Sequence, residues 1–472
     1  MQLIYQHGVY APLDASEDFT PPQSAGTLPL YIGTAPVHQL ASPPKAGEPI
    51  LIRTWREMES LLGYSDDWAG FDLCEACYAH LRSRVGSVAP IAVINLVDLA
   101  KHKSEGKTIQ ATFTAGRAVV AAPLAIRSTV KIASKTEGTD YAVSYSADGK
   151  SLILEDLTGK LTSETVNYDE VDVSKITASD VVKAINSQVP LVYQKLGLVP
   201  TILCCPRLGN EEGVYDALTA MAASIGGHWH AFVSAGLEAG SREEALSQRD
   251  AAGLDSSLSN ACWPMAKWNG KVFHLSVLAA AGMQRVDAAN GNIPCESPSN
   301  KPIDCDGLCL ADGTPVDLIE EEANGLNAKG ITTAVYRGGR FVLWGPHTAA
   351  YRFGKDMDFR DRFDATVRMA QYVANSFQLH NGSRIDATMR RSLVDTILND
   401  FQAFLDQLRA DGRILGGSIR FDESSNPESD MVTGDFVFDV KVSPGIPAKS
   451  ITGRVRCTTE GLTTLFGGDQ NA

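Results

Sequence analysis

The sequence predicts a multidomain chain that combines α/β and α+β architecture, and three observations carry that reading. Apolar strand-like runs alternate with amphipathic helices over residues 28–99 and again over 176–350, the pattern of a mostly parallel sheet covered by helices. Between those stretches, residues 100–175 hold only short runs rich in Val, Ile, Thr and Tyr. Beyond residue 350, two apolar stripes at helical spacing precede two strand-like segments. At 472 residues the chain exceeds what one core organises, and length alone suggests roughly two to four domains.

Residues 1–27 are expected to form an N-terminal arm. Pro12, Pro21, Pro22 and the acidic Asp14, Glu17 and Asp18 make the segment too polar and irregular to fold alone. Leu3, Tyr5, Val9 and Tyr10 nevertheless give its start strand-forming content, so it reads as a strand that pairs with something else. Residues 28–34 form an apolar strand ending at Gly33. A helix from about residue 54 carries Trp55, Met58, Leu61 and Leu62 and stops at Gly63. A second, from about residue 69, aligns Phe71, Cys74, Cys77, Tyr78 and Leu81, and residues 91–97 are a continuous apolar strand.

Residues 100–175 are expected to be an inserted all-β domain. Strands are predicted at 118–122, 128–133, 141–145 and 151–154, with Asp148-Gly149 as a hairpin turn. The α/β pattern resumes at Thr177, a cap for the helix carrying Val181, Val182, Ala184 and Ile185. Strands at 200–205 and 229–233 flank a helix at 215–225. These segments, 28–99 and 176–350, make a discontinuous central domain.

Residues 351–445 are expected to be a separate α+β domain. Its first helix bears Phe359, Phe363, Val367, Ala370, Val373, Ala374 and Phe377. Its second, capped by Asp386 and stopped near Gly412, bears Met389, Leu393, Ile397, Phe401, Phe404, Leu405 and Leu408. Strands follow at 414–421 and at 435–442, the latter alternating through Phe436, Phe438 and Val440. Residues 446–472 form a C-terminal arm with one more strand predicted at 451–457, carrying Ile451 and Val455.

Composition narrows the function. A formal net charge of -14 opposes a role in holding nucleic acid, because phosphate neutralisation needs an excess of Lys and Arg. No apolar run is long enough to span a bilayer. The first residues lack the basic and apolar regions of a signal peptide. The nine cysteines, an odd number with Cys204 and Cys205 adjacent in an apolar run, suit buried reduced thiols better than a disulfide framework.

The chemistry-bearing candidates each have a simpler reading. Cys74 and Cys77 lie on an apolar helical stripe, where thiols pack. Cys295, Cys305 and Cys309 have nine and three intervening residues, spacings that suit no common zinc site and lack a fourth ligand. His228 and His230 share a strand face but suit hydrogen bonding or packing. The short signals for acyl transfer, zinc hydrolysis and nucleotide binding are absent. We therefore expect no catalytic, cofactor-binding or metal-ligating residue, and no cofactor. Arg360, Arg362, Arg368, Arg390 and Arg391 interleave with Asp358, Asp361, Asp364 and Asp395. They form either a solvated face with local ion pairs or, the reading preferred, a surface facing an acidic neighbour in a polymer.

An ordered series of blocks between residues 261 and 349 resembles the contractile phage tail sheath protein family. It opens with Trp263-Pro264-Met265 and runs through Val277-Leu278-Ala279-Ala280-Ala281-Gly282-Met283 and Asn292-Ile293-Pro294. Pro298-Ser299-Asn300-Lys301-Pro302-Ile303 and Leu326-Asn327-Ala328-Lys329-Gly330-Ile331 follow, and Phe341-Val342-Leu343-Trp344-Gly345-Pro346-His347 closes the series. Weaker resemblance extends to His7-Gly8-Val9-Tyr10 and to Val442-Ser443-Pro444-Gly445. The resemblance implies a central domain of subtilisin-like topology without protease activity, and a β-sandwich at 100–175. It also implies hexameric rings stacked helically around an inner tail tube protein, with baseplate and tail terminator proteins as further partners. Arm strands would form the subunit interface, here Leu3, Tyr5, Val9, Tyr10, Phe436, Phe438, Val440, Ile451 and Val455. Such a particle is a virion tail assembled in the host bacterial cytoplasm, without direct nucleic-acid contact or membrane insertion. The rivals are an α/β-class hydrolase with an unrecognised site, or a non-contractile tube or baseplate protein.

Overall fold

The computed structural model describes residues 26–459, 461, 462 and 465. Leu3, Tyr5, Val9 and Tyr10, and with them nearly all of the expected N-terminal arm, lie outside the described residues.

The architecture is mixed α/β with several sheets, and its centre is an eight-stranded sheet. In chain order its first strands are β1 (Pro29–Gly33), β2 (Pro49–Ile52) and β3 (Ile91–Asn95). Every residue of β1 and β3 is buried, as a parallel strand covered on both faces must be. The helix Trp55–Leu62 is capped by the Thr54 hydroxyl, which accepts from Glu57 N, and ends at Gly63. A Cβ at Gly63 would sit 2.7 Å from Pro36 O with φ at +75°, so only glycine fits that turn. The helix Asp72–Leu81 packs on β1 and β3.

The chain then leaves the sheet for six strands, β4 (Lys103–Thr112), β5 (Arg117–Val120), β6 (Lys131–Ile132), β7 (Tyr141–Tyr145), β8 (Leu152–Asp156) and β9 (Ser163–Val171). They make two three-stranded sheets, β4-β9-β6 and β5-β8-β7, whose inward residues share one apolar cluster including Ile132, Val143, Leu152, Leu154 and Val166. The two longest strands, β4 and β9, were not predicted. β4 is polar and largely exposed, β9 is polar with Val166, Tyr168 and Val171 buried, and they are strands because they pair with each other in antiparallel register from Lys103↔Val171 to Thr112↔Ser163.

Back in the main sheet, β10 (Ile202–Cys204), β11 (Phe232–Gly236) and β12 (Ser259–Cys262) follow. A small antiparallel sheet comes next, β13 (Met265–Trp268), β14 (Lys271–Phe273), β15 (Gly307–Cys309) and β16 (Pro315–Val316). The hairpin β17 (Ile331–Arg337) and β18 (Arg340–Trp344) completes the order β18-β17-β12-β11-β10-β1-β3-β2. Its six inner strands are parallel, and only the edge strands β2 and β18 run against their neighbours. The helix Leu275–Ala289, whose Val277–Met283 stretch drew no helix assignment from sequence, packs against β1, β10, β11 and β12 with twelve of its fifteen residues buried. Its Ala-rich run brings it close, and a Cβ on Gly282 would already lie 3.1 Å from Leu343.

The C-terminal part comprises the helices Asp364–Asn381 and Arg391–Ala410 against the two-stranded sheet β19 (Ile414–Arg420) and β20 (Asp439–Pro444). Met369, Val373, Phe401, Leu405 and Ile414 form its own apolar cluster. Three expectations are corrected here. Asp386 does not cap the second helix: that helix begins five residues later, with Arg390 in the capping position and no side-chain cap bond. The strand expected over 435–442 starts only at Asp439, because Asn426 takes the backbone of Val437 through its amide, accepting at 2.7 Å and donating at 2.9 Å. Residues 451–457 adopt no strand, since no described edge pairs with them.

Candidate subunit interface

In parallel α/β sheets ligands gather at the carboxyl ends of the strands, beside the point where strand order reverses. Here that point lies between β1 and β10, and structural polar contacts occupy it. Asp72 Oδ1 accepts from Thr34 N at 2.6 Å and from Thr34 Oγ1 at 2.9 Å, while its Oδ2 accepts from Arg207 N at 3.3 Å. Asn95 Oδ1 accepts from Ala35 N at 2.9 Å and Val97 N at 3.1 Å. Nearby, Glu75 pairs with His274 through the ring Nδ1 at 2.8 Å and the backbone N at 2.5 Å. Burial pushes the His274 ring toward neutrality, but the charge and hydrogen bond of Glu75, with the charges of Asp72 and Glu238, together outweigh it and hold the pKa above the usual value. The other ring nitrogen faces Glu238 at 3.9 Å, not a hydroxyl or thiol. Among the described residues no nucleophile meets this base and its orienting acid, and acyl transfer needs all three in contact.

The cysteines are buried or half-buried, except Cys457, and His228 is exposed. Cys74 and Cys77 are buried on the helix Asp72–Leu81, and burial raises both thiols, Cys74 to about 12, the inert form. Cys309 lies in β15, Cys305 is half-buried just before it, and Cys295 contacts Arg413. Among the described residues no three His, Cys, Asp or Glu side chains converge to hold a metal ion. His228 and His230 bond through backbone and ring atoms to the helix Asp364–Asn381 and to Ala223.

The expected Arg and Asp surface divides. Arg360 pairs with Asp361, and Arg391 with Asp395, as exposed local ion pairs. Arg368 and Asp364 are not surface residues at all, with relative exposures of 4% and 2%. Helical spacing could not separate them from their neighbours, because burial here is set by contacts with Asp287 and Ser297, distant in sequence.

The proposed arm residues also divide. Phe438 packs on Phe377 and Phe421, and Val440 joins the same apolar cluster. Phe436 is half-buried. Ile451 and Val455, at 88% and 94% exposure, lie on extended chain with no strand partner. Leu415, Val432 and Val437 are further exposed apolar side chains beside the two-stranded sheet. The described segment from residue 446 to 459 carries Lys449, Arg454 and Arg456 and no acid. Residues 422–439 carry Asp422, Glu423, Glu428, Asp430, Asp435 and Asp439 and no base. A two-stranded sheet is marginal by itself, and exposed apolar chain next to it is what strand addition between subunits uses.

These features define a class, a mixed α/β protein of several sheets with exposed apolar chain after its last strand. No family model matches the chain. It is 27% identical over 468 residues to the tail sheath protein of Burkholderia phage BcepMu, covering 93% of this chain and 94% of that one. Its fold aligns with a chain of the anti-feeding prophage baseplate at a TM-score of 0.59, with 15% identity over 97% of this chain and 100% of that one. The anti-feeding prophage helical sheath in its contracted state gives 0.56, with 16% identity over 96% and 99%. Over nearly its whole length the chain is thus similar to tail sheath proteins.

Proposed function

We infer that the chain is a structural subunit of a contractile sheath, which polymerises around an inner tube and contracts to drive that tube through a cell envelope. The observation that carries this reading is a sequence relationship running nearly end to end through a tail sheath protein, with no large region of either chain left over. A sheath does its work once, by relaxing from a trapped extended polymer to a better-packed one. It needs no turnover, and we assign the chain no catalytic role; the Glu75–His274 pair is read as structural.

Finer features belong to the same proposal. The central unit would have the subtilisin-like topology of the family. Residues 100–175 would be an inserted β-sandwich, a reading supported by the pairing of Lys103 with Val171 and of Asp172 N with His102 O at 2.9 Å, which brings the two ends of the block together. Rings would be hexameric, with tube, baseplate and terminator proteins as partners, in a tail or tail-like injection particle assembled in a bacterial cytoplasm. The arms would link subunits, with Leu3 to Tyr10 and Ile451 to Val455 adding strands beside β19 and β20.

Electron microscopy of the purified full-length chain tests the reading. Hollow cylinders of stacked rings are the expected result, and removal of residues 1–20 should leave a folded particle that forms none. A monodisperse wild-type particle at all concentrations would overturn it.

A further inference from the structure

The helix Asp364–Asn381 meets the central sheet through polar groups. Asn375 accepts from His230 N at 2.9 Å and donates to His230 O at 2.8 Å. Gln371 donates to Ala231 O at 2.6 Å, and Gln378 to His228 O at 2.7 Å. The amides thus grip the backbone leading into β11. One end of the same helix carries charge. Arg368 pairs with Asp287 of the buried helix Leu275–Ala289, and Thr27 Oγ1 donates to that carboxylate at 2.6 Å. One turn earlier, Asp364 accepts from Ser297 Oγ at 2.9 Å and from Ala365 N at 2.6 Å.

Two carboxylates and one guanidinium are therefore buried together, and among the described residues the guanidinium bonds to Asp287 alone. If both acids are ionised the cluster holds one uncompensated negative charge in a water-poor site, which is costly. A carboxylic acid at Asp364 would relieve that cost. We propose that this junction is a proton-operated joint: a proton on Asp364 locks the C-terminal part to the central sheet and to the chain at Thr27, and its loss loosens the lock.

The electrostatics agree with the geometry. Burial pushes the Asp364 carboxyl up to about 7, against the opposing pulls of Ser297 and Arg368, and the Asp287 charge adds to the rise. The remaining titratable neighbour is the Cys262 thiol in β12, itself pushed up by burial and by Asp364. Burial likewise raises Asp287, against Arg368 and Thr27. A folded value above the unfolded one means the closed joint binds the proton more tightly. Opening should thus rise about tenfold per pH unit between about 4 and 7, and level off above.

Hydrogen exchange of the full-length chain between pH 5 and 8.5, corrected for intrinsic rates, reads that opening in peptides covering residues 228–231 and 364–372. The wild type should show the rise and the plateau near pH 7. Asp364→Asn, neutral at every pH, should flatten the profile. Asp287→Asn leaves Arg368 to Asp364 alone and should move the plateau down by a pH unit or more. Ser297→Ala, which keeps both acids, should move it up and covers the case in which either Asp variant fails to fold. A wild-type profile without the rise, an unchanged rise in Asp364→Asn, or a plateau unmoved in Asp287→Asn and Ser297→Ala would each overturn the proposal.

Discussion

Replacing Ile451 and Val455 together by Asp separates folding from assembly, because the two side chains are 88% and 94% exposed in the isolated subunit. Neither belongs to any apolar cluster, so the variant should unfold within about 0.5 kcal/mol of the wild type, the usual range for surface changes. If the segment adds as a strand to a neighbouring subunit, one side of it is buried there. Full burial of a Val or Ile side chain contributes about 1.5–3 kcal/mol, so the pair should supply roughly 4 kcal/mol per contact. That corresponds to about a thousandfold in association constant, and the buried carboxylates would add to the loss. Calorimetry of the dissociated subunit and sedimentation velocity over a concentration series measure the two quantities. Wild-type assembly would refute the argument, since it would mean these exposed residues are not interface residues. A large fall in thermal stability with normal assembly would refute it equally, by placing them in a fold contact.

Three further outcomes are expected. Gly149→Ala should cost about 1–3 kcal/mol in thermal unfolding, because φ is +70° and the new Cβ would lie 2.5 Å from Tyr64 O; the same change at Gly159, which has no neighbour within 4 Å, should cost less. Cys74→Ala and Cys77→Ala should each cost on the order of 1 kcal/mol as small buried groups while leaving cylinders intact, and loss of bound zinc with loss of assembly would contradict this. Burial holds His38 down to about 4, its ring bonded to Pro123 O at 2.9 Å, so its contribution is complete above pH 6.5 and is lost as pH falls toward 4. His38→Gln should accordingly be less destabilising at pH 5 than at pH 7 in urea unfolding, the comparison being with wild type because Asp364 acts in the opposite sense.

How much was legible depends on how local the cause was. The helix from about residue 54, its Gly63 stop and the apolar strands β1 and β3 follow from neighbouring residues, and periodicity along the chain exposes them. The Asp148-Gly149 turn was equally visible as a hairpin, but its second task was not: the backbone of Asp148 also accepts from Asp66 N at 3.2 Å, a contact made across the sequence. β4 and β9 were missed because polar sequence becomes strand only through its partner. The helix Leu275–Ala289 is buried on nearly every side, so it has no amphipathic stripe to betray its period, although its residues carried the family resemblance.

The sequence by itself determined the class of this protein: a chain of several cores, with the ordered motifs between residues 261 and 349 carrying its resemblance to tail sheath proteins. Those features survive reading in one dimension because they reside in residue order and spacing. Tertiary structure alone decided which charges are surface and which are buried. Arg368 and Asp364 look like Arg360 and Asp361 along the helix, yet the first pair lies against Asp287 and Ser297, 81 and 67 residues away in sequence. Burial and the pKa it shifts depend on what the fold brings alongside a residue, and that neighbour is set by the packing of distant segments rather than by anything adjacent in the chain.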